Sequence, residues 1–60
     1  MVRGVPQNYA KAFELFQKSA DQGYVDAFVS LGIAYKNGEG VTENYTKATE
    51  WYQKAANQGN

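Results

Sequence analysis

Six carboxylates and nine aromatic rings are the side chains in this 60-residue chain that could support catalysis or ligand recognition. Histidine and cysteine are absent, so there is no imidazole base, thiolate nucleophile, disulfide framework or zinc site of the usual kind. Of the carboxylates, Glu14, Glu39, Glu43 and Glu50 fall on polar faces of helical patterns or in a loop. Asp21 and Asp26 flank a turn, where capping and solvation account for them. General acid–base catalysis needs two carboxyl groups held together in a site, and this spacing sets up no such pair. Gly38-x-Gly40 follows a helical pattern and not a strand, so it reads as turn chemistry and not as a phosphate-binding loop. The expectation is a chain that is not an enzyme and has no catalytic, cofactor or metal site.

The aromatic residues are Tyr9, Phe13, Phe16, Tyr24, Phe28, Tyr35, Tyr45, Trp51 and Tyr52. Interleaved with lysines, they raise the idea of base stacking on single-stranded nucleic acid. Most of them recur at helical spacing on apolar stripes, which favours core packing with the tyrosine hydroxyls at the rim. Six basic and six acidic residues balance, so no net field draws the chain to nucleic acid or to an anionic membrane. No apolar run approaches the roughly 18 residues that span a bilayer.

The elements that position these side chains are legible from an internal repeat. At an offset of 36, residues 4–23 align with residues 40–59 with twelve identities in twenty positions. Asn8/Asn44, Tyr9/Tyr45, Lys11/Lys47, Ala12/Ala48, Glu14/Glu50, Lys18/Lys54, Ala20/Ala56 and Gly23/Gly59 are among them. The repeated unit reads as an amphipathic helix, at about 8–22 and 44–58. Tyr9, Ala12, Phe13, Phe16 and Ala20 form its apolar side in the first copy. Tyr45, Ala48, Tyr52, Ala55 and Ala56 form it in the second. Asn8 and Asn44 are expected N-caps, and Gly23 and Gly59 expected C′ residues. Glu14/Lys18 and Glu50/Lys54 are i,i+4 pairs, worth about 0.2–0.5 kcal/mol each.

Between the copies, Tyr24 to Asn37 reads as a helix of a second kind. Its expected apolar face is Tyr24, Ala27, Phe28, Leu31, Ala34 and Tyr35. Gly32 falls in mid-helix, where it costs about 0.8–1 kcal/mol relative to alanine. That cost is acceptable if the missing side chain lets another helix come close. The two copies also differ: Leu15 stands where the second has Trp51, and Phe13 where it has Thr49. The two helices therefore pack in different surroundings.

The run Ala27-x-x-x-Leu31-Gly32-x-x-Tyr35-x-x-Gly38-x-Gly40-Val41, followed by Asn44-Tyr45-x-Lys47-Ala48-x-x-Trp51-Tyr52-x-Lys54-Ala55-Ala56-x-Gln58-Gly59, resembles a Sel-one-like repeat, a relative of the tetratricopeptide repeat. The period of 36, against about 34 for tetratricopeptide repeats, and the double-glycine loop favour the Sel-one-like form. The resemblance implies an all-α solenoid of three antiparallel helices with a right-handed superhelical sense. It also implies that residues 4–23 are the second helix of a preceding repeat and residues 24–60 one complete repeat. Such a chain is expected to be a piece of a longer array.

The function the resemblance implies is a protein–protein interaction scaffold that takes a peptide or partner surface in its helical groove. Val29, Ile33, Lys36 and Asn37 occupy the side of the middle helix away from Leu31 and are the candidate contacts. Packing of Val29 on an adjacent repeat is the competing account. The alternative function is a structural repeat unit that touches only other repeats or a second copy of itself. Phe13, Leu15 and Phe16 are its candidate self-association residues, because the first helix lacks a partner. Covering about 200 Å² of that side contributes roughly 5 kcal/mol, enough to expect dimers or helix exchange.

Overall fold

The computed structural model describes residues 8–58. They form three antiparallel helices, α1 (Tyr9–Asp21), α2 (Val25–Asn37) and α3 (Tyr45–Gln58), with no strand among the described residues. Gly59, the expected C′ residue of the last helix, and the residues before Asn8 lie outside that range.

Local chemistry sets the ends. The Lys11 amide donates to Asn8 Oδ1 (3.1 Å) and the Lys47 amide to Asn44 Oδ1 (3.0 Å). Both repeated asparagines thus satisfy a first-turn N–H that the helix cannot. α2 starts without a side-chain cap, at Tyr24, but carries Asp26 in its first turn and Lys36 in its last, both suited to the helix dipole. It ends on Gly38 in the left-handed conformation (φ 71°), and the Glu39 amide closes on the Ala34 carbonyl at 2.8 Å. The Asn44 amide then donates to the Tyr35 carbonyl (2.8 Å), tying the start of α3 to the last turn of α2.

α2 is the centre of the packing. α1 and α3 each pack on α2 and not on one another. Leu31 is fully buried (0% exposed), and Ala27, Phe28, Gly32 and Ala34 are buried around it. Phe13, Phe16, Val25 and Trp51 close over that core. The expected face of α2 is therefore correct from Ala27 to Tyr35 but not at Tyr24, which is exposed because it precedes the first helical turn.

Two glycines permit the close approaches. A Cβ on Gly32 would lie 2.5 Å from Tyr52 Cε1, so the bare backbone of α2 is what lets the α3 tyrosine ring lie across it. In the α2–α3 loop, Gly40 has φ 81°, and a Cβ there would run into the Tyr9 backbone carbonyl. The loop thus abuts the first turn of α1 and helps place that helix against α2.

Two outcomes follow from these contacts. Gly32→Ala, which in a free helix stabilises by about 1 kcal/mol, is expected to destabilise this chain by about 1–2 kcal/mol. In a Tyr52→Ala background the sign reverses, which thermal melts of the four proteins of the cycle will read. Gly40→Ala is expected to cost about 1–2 kcal/mol from the left-handed conformation alone. By hydrogen exchange, the loss should appear in the α1 amides ahead of those of the α2–α3 hairpin.

Candidate functional site

The repeated helix buries overlapping but different sets of positions in its two copies. In α3 the buried and half-buried positions are Ala48, Trp51, Tyr52 and Ala55. In α1 they are Ala12, Phe13, Phe16, Gln17, Ser19 and Ala20, with Phe13 edge-on to Tyr35 at 5.5 Å between ring centres. Thr49, Gln53 and Ala56, which correspond to Phe13, Gln17 and Ala20, are all exposed. This corrects the expected face of the second copy: Tyr45 (66% exposed) and Ala56 point to solvent, and Trp51 takes their place in the core. Tyr9, expected on the same stripe, is also exposed.

The aromatic contact between α2 and α3 is Phe28 against Trp51, 5.7 Å between centres and tilted by 32°. The Lys54 ammonium lies 5.3 Å from the Phe28 centroid and 5.4 Å from that of Trp51. The sequence suggests Glu50 as the partner of Lys54, and the geometry sets its charge over these two rings, a contact of about 0.5–1 kcal/mol at an exposed position. Lys47 lies 6.0 Å above Tyr35 in the same way.

The candidate contacts on α2 sit as follows. Val29 and Ile33 are exposed at 38% and 41%, one turn apart, on a helix whose other apolar side chains are buried or half-buried. Lys36 and Asn37 are exposed beyond them, and Asn37 Nδ2 donates to Glu39 Oε2 at 3.4 Å. The four thus form one strip that ends at the double-glycine loop.

The candidate self-association residues do not share one environment. Phe13 and Phe16 are half-buried against the core, so the apolar side expected to be open at all three positions is fully open only at Leu15, 56% exposed. Phe16 and Ser19 also line a groove of about 510 Å³ between the end of α1 and the start of α2. Tyr24, Val25, Asp26, Ala27 and Ser30 form its other wall. The hydrophobic pattern of single helices did not reveal this groove.

Among the described residues, no group of three acidic side chains comes together to hold a metal ion. No helix there is long and apolar enough to cross a membrane. In comparison with known proteins, the model of the Sel1 repeat matches residues 3–24 and 29–60, nearly the whole chain. None of the curated proteins and none of the solved structures matches.

Proposed function

The chain belongs to the Sel1 repeat family, whose repeats are generally non-catalytic protein-interaction modules, and from this we propose that it is a scaffold binding a peptide or partner surface along the strip of α2. We read residues 4–23 as the second helix of one repeat and residues 24–60 as the next repeat in full. The observation that carries the reading is the exposure of Val29 and Ile33 on the most buried helix of the fold.

Covering what remains exposed of these two side chains contributes about 1 kcal/mol each, or roughly 30-fold in affinity together. That is too little for a complex by itself. A partner must also reach Lys36, Asn37 and the surface beside them, so binding rests on shape complementarity with a few polar contacts and no bond-making step. The second reading, a structural unit that touches only repeats or another copy, is favoured by the exposure of Leu15.

Selection of a displayed peptide library on the immobilised chain separates the two. Ile33→Glu is expected to leave helicity and melting within about 0.5 kcal/mol of the parent, as an exposed site should. The same change should weaken the selected peptides by at least about ten-fold. Peptides that bind Ile33→Glu as well as the parent would refute the strip as the binding surface.

A further inference from the structure

Asn37-Gly38 is the single place in the chain where an asparagine precedes a glycine. The order matters because the backbone nitrogen after an asparagine can attack its side chain, and glycine puts no Cβ in the way. The other described asparagines are less favourable. Asn8 and Asn44 are followed by tyrosines, and each has its Oδ1 tied to the N–H of Lys11 or Lys47. Asn57 lies inside α3 and precedes Gln58. Asn37 is the last residue of α2, exposed, and its side-chain amide makes a long 3.4 Å bond to Glu39.

We propose that Asn37-Gly38 is a site of spontaneous chemical modification, deamidation through a cyclic imide, whose rate the last turn of α2 controls. The steps need only water and hydroxide. The Gly38 nitrogen gives its proton to hydroxide and bonds to Asn37 Cγ. The Cγ–Nδ2 bond then breaks, and Nδ2 leaves as ammonia after taking a proton from water. Water next opens the imide. Cleavage of the new bond to Cγ leaves aspartate; cleavage of the original backbone bond leaves isoaspartate, with the chain running through Cγ.

The fold holds the first step in check. The Gly38 N–H is donated to the Ala34 carbonyl, which also accepts from the Glu39 amide at 2.8 Å. A proton in that bond is shielded from hydroxide, so the attack waits for the last turn to open. Lys36, Asn37 and Gly38 are all exposed, so opening uncovers no core.

The products change the end of α2 in two ways. A new carboxylate stands beside Glu39 and at the negative end of the helix dipole, which disfavours it. Isoaspartate also inserts a methylene just before Gly38, the left-handed residue from which the loop to α3 starts. That loop carries Gly40 against the Tyr9 backbone, so α1 loses part of its seating. The chemistry does not depend on the α2 strip being a binding surface, although Asn37 belongs to it.

The test is incubation of the full chain at body temperature in neutral and mildly alkaline buffer, folded and unfolded in guanidinium. Peptide mapping and enzymatic isoaspartyl methylation follow the products. A gain of one dalton is expected at Asn37 ahead of Asn8, Asn44 and Asn57, and faster in the alkaline buffer. Unfolding should accelerate it by about ten-fold, because no helix then holds the Gly38 N–H. Asn37→Gln, whose longer side chain closes only a disfavoured six-membered ring, should abolish it with melting unchanged. In the converted chain the α1 amides should exchange hydrogen faster. Equal rates in the folded and unfolded chain, or conversion led by another asparagine, would overturn the proposal. So would a folded chain still unconverted long after the unfolded one has reacted completely.

Discussion

Thirteen residues of α2 must satisfy two neighbours that have no contact with each other. With α1 and α3 packed only through it, α2 has to bury most of its circumference, and its composition follows from that demand. Small residues are buried at Ala27, Gly32 and Ala34, and larger ones fill the space between, at Phe28 and Leu31. Gly32 shows the trade most clearly. A helix-weakening residue in mid-helix is retained because the ring of Tyr52 occupies the volume a side chain would need. What is left of the circumference after both contacts is the strip of Val29, Ile33 and Lys36. The binding reading therefore concerns the side of α2 that its own packing leaves over.

Much of this architecture could be read from residue types. The duplicated asparagines start their helices as expected, because a cap depends on three neighbouring residues and on nothing distant. Gly38 ends α2 in the left-handed conformation for the same reason. The expected ranges 8–22 and 44–58 differ from the observed helices by a residue at most at each described boundary. Local chemistry is written locally.

Facing was harder to read than extent, for a physical reason. A helical wheel reports one apolar side, whereas the repeated helix has two, which meet along a shared edge at Phe16 and its counterpart Tyr52. Averaging them put Tyr45 and Ala56 in the core of α3, although Ala56 lies on the side that α1 buries at Ala20 and Tyr45, like Tyr9, is exposed. The correct partition was visible only in the differences between the copies. Phe13 against Thr49 marks positions buried in α1 and wet in α3, and Leu15 against Trp51 marks the one position where the reverse holds. Tyr24 failed on simpler grounds: a residue before the first turn has no helical facing to predict.

Those two differences also set the polarity of the module. If the copies were chemically identical, each would present the same unused side and neither end of the stack would be distinguished. Substitution of Thr49 for Phe13 removes a ring that would otherwise stand in water, and its hydroxyl is satisfied within the helix. An exposed side of this composition limits association, which an open apolar side in a stacked-helix fold promotes. At α1 the change runs the other way. Leu15 leaves an apolar side chain in water next to a groove, with neither a charge nor a hydroxyl in its place. A surface that had only to face solvent would carry at Leu15 what α3 carries at Thr49, so two helices copied from one sequence present exposed sides of different character.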